Sequence, residues 1–454
     1  MLEEASSSKT NMTYPETINY LYASQPAFHQ VGAAAYKPGL DNTYALMEHL
    51  GNPHTQLRAV HIAGTNGKGS TSHLIAAALQ AEGYKVGLFT SPHLVDFRER
   101  IRINGEMVPQ ETVVNWVADN RGFLDKLKPS FFETTMALAF WYFAEQQVDI
   151  AVIEVGLGGR LDSTNILTPL LSVITNIGID HTDFLGNTLA EIAAEKAGIM
   201  KPHVPCVIGE THPETIPIFT NRARACEILG EGFETTNCRI WLADQCGYMR
   251  RRRLKETPAC QLKGEYQDKN LQTAFVALQA LRNVCDVKVS SGSIAQGFAK
   301  VCDLTGLRGR WEILAHQPLT ICDTGHNSHG IKYVVRQLGE EMKRRGGAEA
   351  KGTLRIVLGM VNDKDIDDVL TLLPEDAVYY FTQPNTPRAM AAEELLVRWE
   401  KMGRSHAVAI KEAQKAVSTA QKEATAEDIV FIGGSNYLVG EVIANVQEFR
   451  SSGV

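Results

Sequence analysis

The sequence predicts an α/β protein built from two domains, each with a mainly parallel sheet. Apolar, strand-like stretches alternate with helix-like stretches along most of the 454 residues. The chain is also too long for one comfortable hydrophobic core. A second strand–helix series begins after residues 307–313, so we place a boundary near residues 308–312, between domains of residues 1–309 and 310–454.

Local signals mark the elements of the first domain. The helix after the first strand ends at Gly83, and Asn104-Gly105 between alternating residues predicts a β-hairpin. Thr188 and Glu191 form a capping box, which predicts the start of another helix. The predicted strands are residues 58–64, 85–91, 100–108, 148–156 and 170–178, and the predicted helices are residues 68–82, 131–147 and 188–200.

The rest of the chain comprises an irregular region and the strands of the second domain. Residues 205–265 are less regular, and we expect an antiparallel patch there. The predicted strands of the second domain are residues 319–325, 353–360, 377–383 and 428–435, with helices between them. Ligands of open α/β sheets bind beyond the carboxyl ends of the strands, so functional residues are expected at those ends.

Charge and cysteine usage narrow the class of protein. The net charge of −7 argues against an extended nucleic-acid surface, and the run Arg250 to Arg253 is expected to be a solvated loop or strand edge. All eight cysteines lie between Cys206 and Cys322 without a C-x-x-C pair, which is typical of reduced thiols. The N-terminus lacks a signal-peptide pattern, and no apolar run approaches the roughly 18 residues of a membrane helix. We expect a cytoplasmic monomer that binds neither nucleic acid nor membranes.

The stretch AGTNGKGSTSHLIAAAL, residues 63–79, has the context of a phosphate-binding loop that opens a helix. It departs from the pattern G-x-x-x-x-G-K-[ST], because Ile62 stands six positions before Lys68 and the first hydroxyl comes only at Ser70. Glycines let backbone N–H groups face phosphate oxygens, Lys68 would neutralise the β and γ phosphates, and Ser70 or Thr71 would reach a magnesium ion. The alternative is an ordinary strand–helix turn. The predicted nucleotide-binding residues of this loop are Gly64, Thr65, Asn66, Gly67, Lys68, Gly69 and Ser70.

Three further side chains at strand or helix ends carry candidate chemistry. Glu154 closes an apolar strand before a glycine-rich turn, which suits a magnesium ligand or a local hydrogen bond. His181 lies in a strand–loop–helix connection, where a histidine is functional or structural. Lys196 has only apolar neighbours on its helix face, so it is either a functional lysine with altered chemistry or a snorkelling side chain. These neighbours are Ile192, Ala193, Ile199 and Met200.

The second domain offers three candidates of its own. Asp323 and His326 follow its first strand, and Arg310 stands at the predicted hinge. Each alone has an equally good structural explanation. Facing the phosphate loop across a cleft, they would grip the other end of a nucleotide.

Seven motifs, in order and spacing, resemble the bifunctional bacterial folylpolyglutamate synthase/dihydrofolate synthase family of the Mur ligase superfamily. They are AGTNGKGST, FTSPHLVDFRERIRING, FFETTMALAF, IEVGLGGRLDSTN, TNIGIDHTDFLG, EIAAEKAGIMK and DTGHN. The resemblance extends from about residue 15 to about residue 445. It implies an N-terminal P-loop ATPase domain of Mur ligase type and a smaller, Rossmann-like C-terminal domain.

The resemblance also implies a reaction. ATP phosphorylates a substrate carboxylate to an acyl phosphate, the amine of L-glutamate attacks it, phosphate leaves and an amide forms. The implied acceptors are dihydropteroate and tetrahydrofolate or its polyglutamates, and the implied cofactors are two Mg²⁺ ions. The N-terminal segment GAAAYKPGLDNTYAL keeps Gly39-Leu40 but departs from some bifunctional members.

Site residues follow from the same resemblance. Ser91 and Glu154 match ligands of one Mg²⁺, with Ser70 beside them, and His181 matches a ligand of the second. Lys196 matches a lysine that CO₂ carbamylates, and a neutral amine on an apolar helix face suits that modification. Lys68, Lys196 and His181 are therefore the expected catalytic residues. The implied ATP contacts are Asn270, Arg310, Asp323 and His326, and the implied pterin contacts are Ser130, Phe132 and Asp162.

Three other functions remain open at this point. One is folylpolyglutamate synthase activity alone. Another is ligation to a UDP-muramyl peptide, but such enzymes usually carry an N-terminal UDP-binding domain, for which the residues before Gly64 leave no room. The last is an ATP-binding scaffold without ligase chemistry, in which the second metal set would be idle.

Overall fold

The computed structural model describes residues 12–25, 39–228, 238–246, 260–346, 352–362 and 366–451. The basic run Arg250 to Arg253, expected to be a loop or strand edge, lies outside these residues. So does most of the segment that precedes Gly39-Leu40. No helix in the described ranges has the length and apolar character needed to cross a membrane.

The first sheet has eight strands in the order β4-β3-β2-β5-β1-β6-β7-β8. All neighbours pair in parallel except β3, which is antiparallel to both β2 and β4. The strands are β1 (Ala59–Ala63), β2 (Val86–Phe89), β3 (Ile101–Ile103), β4 (Glu106–Met107), β5 (Ile150–Glu154), β6 (Leu171–Ile174), β7 (Cys206–Ile208) and β8 (Ile240–Leu242).

Helices cover both faces of this sheet. Ile150 and Val152 of β5 pack in one apolar cluster, and the alternate residues Ala151 and Ile153 pack in another. Burial on both faces explains why these strands are continuous apolar runs. The helices are α1 (Tyr14–Ser24), α2 (Asp41–His49), α3 (Lys68–Glu82), α4 (Gln110–Leu127), α5 (Phe131–Glu145), α6 (Thr182–Leu185), α7 (Leu189–Ala197), α8 (Ile216–Ile228), α9 (Gln267–Val284), α10 (Ser291–Ala299) and α11 (Val301–Thr305).

The strongest local predictions are confirmed. Asn104 and Gly105 have positive φ values of 49° and 84°, as a two-residue hairpin turn requires, and they join β3 to β4. Thr188 and Glu191 form the expected capping box before α7. Helix α3 begins and ends at the predicted residues, with Gly83 in the left-handed conformation after its last turn.

The antiparallel patch expected within residues 205–265 is wrong for the described part of that region. Strands β7 and β8 pair in parallel, in the register Cys206 to Ile240 through Ile208 to Leu242. The connection between them contains α8, and a parallel pair requires such a crossover.

The second sheet has six strands in the order β13-β12-β11-β14-β10-β9, and only β9 pairs antiparallel to its neighbour. The predicted α/β class with two mainly parallel sheets is confirmed. The strands are β9 (Glu312–His316), β10 (Leu319–Asp323), β11 (Leu354–Leu358), β12 (Val378–Gln383), β13 (Ala407–Glu412) and β14 (Ile429–Gly433); the helices are α12 (Ser328–Gly346), α13 (Ile366–Leu372), α14 (Ala392–Lys401), α15 (Ala413–Glu423) and α16 (Asn436–Ser451).

The two sheets face each other through the loops at their carboxyl ends. Asn66, after β1, donates a hydrogen bond to His329 Nδ1 at 3.2 Å and accepts one from Asn327 Nδ2 at 3.2 Å, both after β10. Tyr266 donates its hydroxyl proton to Asp323 at 2.6 Å. A cleft between the two sheets is therefore lined by the strand ends where the sequence places its candidate residues.

Candidate active site

Two glycines shape the loop between β1 and α3. Gly64 has φ of 149°, and a Cβ atom there would lie 1.8 Å from Thr175 Oγ1. Gly67, directly before α3, has φ of 81°, and its Cβ would lie 2.1 Å from Asn270 Oδ1. Neither position accommodates a side chain, so the backbone approaches β6 and α9 closely.

The end of β6 holds this loop in place. Asn176 accepts from the Thr65 backbone N–H at 3.0 Å through its carbonyl and from the Asn66 N–H at 2.9 Å through Oδ1. Thr175 Oγ1 donates to the Asn66 carbonyl at 2.6 Å, and Thr65 Oγ1 bonds both backbone groups of Gly178. Sequence reasoning missed Thr175 and Asn176, whose signal was their place in TNIGIDH directly after an apolar strand.

Lys68 and Ser70 lie in the first turn of α3, and their side chains bond different parts of the site. Lys68 Nζ donates to the carbonyls of Gly64 at 3.0 Å and Thr65 at 3.2 Å, so its charge stays within the loop. Ser70 Oγ accepts from Gln267 Nε2 at 3.2 Å, whereas Thr71 Oγ1 is buried and has no hydrogen-bond partner among the described residues.

Gln267 is a third residue that the sequence did not reveal. Its Oε1 accepts from Asn270 Nδ2 at 2.8 Å, so it joins the predicted nucleotide contact Asn270 to the predicted metal ligand Ser70. Its position three residues before Asn270 on α9 was the available signal, because residues at that spacing share a helix face.

Substituting Gly67→Ala is expected to raise the KM for ATP by about 10-fold or more, because alanine is strained at this φ and its Cβ displaces Asn270. Steady-state kinetics with varied ATP measure this. Gly83→Ala is the matched control: its φ is 105° and its Cβ meets nothing within 4 Å, so it strains the same helix at the other end. An unchanged KM for ATP in Gly67→Ala would argue against ATP binding at this loop.

Glu154, the last residue of β5, is 3% exposed and faces the phosphate loop. Its Oε2 accepts the Ser91 N–H at 3.1 Å and would lie 3.6 Å from a Cβ at Gly69. Among the described residues, no other hydrogen bond reaches this carboxylate. Burial raises the pKa of Glu154, and the charges of Lys68 and Arg310 oppose that rise.

Lys196 on α7 is 4% exposed, and its apolar neighbours Ile192 and Ala193 are fully buried. Burial and the nearby charge of Lys68 lower the pKa of Lys196 to about 7, against the opposing effect of Asp180. Within the described part of the chain, no group accepts a hydrogen bond from Nζ. The side chain is thus enclosed at the site and does not snorkel to open solvent.

His181 caps the short helix α6 in the left-handed conformation, with φ of 49°. Its pKa is lowered by burial and by the charges of Lys68 and Lys196, while Asp180 opposes this. A neutral imidazole is the form that binds metals. Over the described residues, no group of three or more His, Cys, Asp or Glu side chains could hold a metal unaided. The predicted metal set includes serines and a modified lysine, so it is not of that kind.

The candidates of the second domain lie across the cleft. Asp323 is fully engaged: its Oδ2 accepts from Tyr266 Oη at 2.6 Å and from Trp311 N at 2.7 Å, and its Oδ1 accepts from Gly325 N at 2.7 Å. Burial raises the pKa of Glu154 and of Tyr266, and in both cases the positive charge of Arg310 opposes that rise, so Arg310 lies near both groups.

His326 is exposed on the loop after β10, and its Nδ1 bonds the Thr324 carbonyl at 3.0 Å. The neighbouring Asn327 donates to Asn66 Oδ1 of the phosphate loop at 3.2 Å. The structure therefore brings His326 to the face of the cleft that holds the phosphate loop.

The predicted pterin residues gather beyond β5 and at the start of α5. Ser130 caps α5 in a capping box with Glu133. Phe132 packs against Gly156, whose Cβ would lie 2.5 Å from its ring, and tilts against Phe89 at 5.8 Å between ring centroids.

Asp162 is buried in the glycine-rich turn that follows Glu154. It accepts from Leu157 N at 2.8 Å, Thr164 N at 3.0 Å and Thr164 Oγ1 at 2.5 Å. Burial raises the pKa of Asp162, and these donors oppose that rise. Asp162 thus fixes the turn that carries Gly156 beneath the Phe132 ring.

Two family descriptions match the chain. The Mur ligase middle domain matches residues 62–278, and the Mur ligase glutamate ligase domain matches residues 309–436. Together with the two facing sheets and the phosphate loop, these matches define a Mur ligase. The chain is 33% identical over 425 residues to a Bacillus subtilis dihydrofolate synthase/folylpolyglutamate synthase, covering 89% of this chain and 94% of that protein. The chain belongs to the dihydrofolate synthase/folylpolyglutamate synthase family.

Solved structures agree with this assignment. The E. coli FolC complex with DHPP and ADP superimposes with a TM-score of 0.79 at 28% identity, covering 97% of this chain and 99% of the other. The Yersinia pestis bifunctional folylpolyglutamate synthase/dihydrofolate synthase with AMPPNP and Mn ion gives a TM-score of 0.79 at 27% identity over the same shares. The resemblance identified from the sequence motifs is confirmed.

Proposed function

We propose that this protein is an ATP-dependent ligase that joins L-glutamate to dihydropteroate and to tetrahydrofolate or its γ-polyglutamates. The observation that carries the proposal is the grouping of Lys68, Glu154, His181 and Lys196 around one phosphate loop, in a chain of this family. The proposal includes a cytoplasmic monomer whose domains meet at residues 309 and 310.

The residues present suit two divalent cations. The Glu154 carboxylate takes one backbone hydrogen bond among the described residues, the His181 imidazole is kept neutral by its surroundings, and Lys196 Nζ has no acceptor there. We propose that Ser70, Ser91 and Glu154 hold one Mg²⁺, and that His181 and carbamylated Lys196 hold the second. Such ions offset negative charge on a phosphoryl group during its transfer.

The carbamate follows from the state of Lys196. A neutral amine adds to CO₂ and releases one proton, which leaves an anionic carbamate where an ammonium would otherwise stand. A pKa of about 7 makes the neutral amine abundant near physiological pH. The modification therefore turns a buried cation into a buried anion, a change that suits a site for divalent cations.

The chain's own groups bind and orient the reactants. The backbone N–H groups of residues 67–70 at the start of α3 bind the phosphates, and Lys68 offsets their charge. Asn270, Arg310, Asp323 and His326 hold the nucleotide from α9 and the second domain. Phe132 stacks on the pterin beside Ser130 and Asp162. The acceptor carboxylate takes the γ-phosphoryl group, and glutamate then displaces phosphate from the acyl phosphate.

A comparison of acceptors tests the proposal. With ATP and L-glutamate present, both dihydropteroate and tetrahydrofolate are expected to support phosphate release and formation of a glutamylated product. Release with each acceptor should depend on glutamate, because the acyl phosphate needs the amine to turn over. Phosphate release and product mass are measured for each acceptor separately.

Each rival predicts a different outcome of the same assay. If tetrahydrofolate gives a product and dihydropteroate does not, the protein has folylpolyglutamate synthase activity without dihydrofolate synthase activity. Product only from a UDP-muramyl peptide would overturn the folate assignment. ATP binding without product from any acceptor would favour the scaffold.

A further inference from the structure

Arg100 is a buried arginine beside the proposed active site. It ends a short turn (Phe97–Arg100) before β3 and is 5% exposed. Its guanidinium lies over the Phe131 ring at 5.3 Å, and its Nε donates to His93 Nδ1 at 2.7 Å. Burial lowers the pKa of Arg100 to about 10, so the side chain remains a cation at neutral pH.

The charge of Arg100 has no anionic partner among the described residues. The adjacent Glu99 is occupied by the backbone N–H groups of Leu94, Val95 and Asp96. The nearby Asp96 forms an ion pair with Arg98 at 2.8 Å. An unpaired buried charge is costly, so a protein keeps one where a ligand supplies the counter-charge.

The terminal nitrogens of Arg100 border open space. No described residue accepts a hydrogen bond from Nη1 or Nη2, and neither atom is among the sealed polar atoms that lack a partner. The His93 contact uses Nε alone. Because His93 Nδ1 accepts that bond, a neutral His93 carries its proton on Nε2, which lies 3.2 Å from the Tyr22 hydroxyl. The bond to His93 therefore orients the guanidinium and leaves its two terminal nitrogens, Nη1 and Nη2, as a fork of donors that can bind a ligand.

That open space lies between the two halves of the proposed substrate site. Phe131, under the guanidinium, stands between Ser130 and Phe132 on the pterin side. On the phosphate side, the Arg100 carbonyl accepts from the Thr90 N–H at 3.1 Å, and the next N–H along the chain, that of Ser91, donates to Glu154 Oε2 at 3.1 Å. From the second domain, α16 packs against the same loop, because a Cβ at Gly440 would lie 2.2 Å from the Leu94 carbonyl oxygen. Burial raises the pKa of Tyr437 on α16, and the charges of Arg388 and Arg100 oppose that rise. A group placed at Arg100 is therefore positioned between pterin and phosphates.

We propose that Arg100 binds the reacting carboxylate of the folate or pteroate acceptor and holds it toward the γ-phosphate. This inference rests on the proposed function, since it needs a pterin on one side and ATP on the other. A planar guanidinium matches a carboxylate with two parallel hydrogen bonds. It also offsets the repulsion between an anionic acceptor and the triphosphate before phosphoryl transfer.

The test compares two acceptors that differ only in the carboxyl group: dihydropteroate and the same compound without that group. Their binding is measured calorimetrically in the presence of AMPPNP. For Arg100→Gln, the Kd of dihydropteroate is expected to rise about 10- to 100-fold, as for a lost hydrogen-bonded ion pair. The Kd of the decarboxylated compound should stay within about twofold. Arg100→Lys, which keeps the charge but not the fork, should fall between Arg100→Gln and the wild type.

Arg98→Gln is the matched control, because it removes a neighbouring arginine whose charge is already paired with Asp96. It should leave both Kd values unchanged. Equal weakening of the two compounds in Arg100→Gln, or no weakening of either, would overturn the proposal, and Arg100→Lys decides the question if the glutamine variant does not fold. Failure of the proposed function would give a different result from failure of the Arg100 proposal, because wild-type protein would then convert neither dihydropteroate nor tetrahydrofolate. The inference about Arg100 would fail with it.

Discussion

Lys196→Ala is expected to lower glutamate addition by at least about 100-fold, as removal of a group that stabilises transition-state charge typically does. The proposed carbamate would be the anion nearest the second cation, and alanine offers no replacement. ATP binding should persist, because the phosphate loop makes its contacts elsewhere. Nucleotide affinity and steady-state turnover, measured on the same preparation, separate the two effects. Turnover at the wild-type rate would end the carbamate hypothesis.

The pH dependence of the carbamate has a definite sign. Carbamylation consumes the neutral amine, and the pKa of Lys196 is about 7. At about pH 8 the amine exceeds the ammonium by about tenfold, and at about pH 6 the ratio is reversed. Modification should therefore be lost as pH falls through 7. A carbonyl signal from ¹³C-labelled CO₂ that is present in wild type and absent in Lys196→Ala would report it directly.

Lys201→Ala supplies the matched control for this experiment. Lys201 is also partly buried, and burial lowers its pKa, but its Nζ donates to the Asn165 carbonyl at 2.8 Å. The alanine variant loses that structural bond and no group of the cleft. We expect a lower melting temperature with turnover within about twofold of wild type.

Glu154→Gln is expected to lower kcat by about 100-fold or more. Glutamine keeps the shape and an oxygen for the Ser91 N–H, so the change removes charge with little loss of packing. Without the carboxylate, half-maximal activity should require a higher Mg²⁺ concentration. A magnesium titration of activity measures both parameters.

Glu195→Gln serves as the control for Glu154→Gln. Glu195 lies next to Lys196 but pairs with Arg160 at 2.9 Å at the surface. Its magnesium titration should match that of wild type. If Glu154→Gln and Glu195→Gln gave the same titration curve, Glu154 would not be a metal ligand.

Features governed by neighbours along the chain could be predicted from the sequence. The bounds of α3, the hairpin at Asn104-Gly105 and the cap at Thr188 each depend on interactions within a few residues. The strand ends that carry Glu154 and Asp323 could be located because apolar runs stop there. The burial of Lys196 could be inferred because its helix face is uniformly apolar.

Features that depend on distant residues could not. The parallel pairing of β8 follows from α8 and from the neighbour β7, neither of which the irregular composition of residues 205–265 reveals. Thr175 and Gln267 support the phosphate loop across more than one element, and their local sequence does not show what they touch. That Arg100 lacks an ion pair with a neighbouring acid could be found only from the structure, in which Glu99 binds backbone N–H groups and Asp96 pairs with Arg98.

The hydrogen bonds of Asp323 tie the chemistry of the cleft to the geometry of the whole molecule. Its carboxylate joins Tyr266 of the first domain to Trp311 at the start of the second. Under the proposed nucleotide contact, ATP competes with these two donors for the same oxygen. Nucleotide occupancy and the angle between the two domains then depend on each other. A nucleotide can shift the equilibrium between two domain arrangements only by the difference between its binding free energies for them.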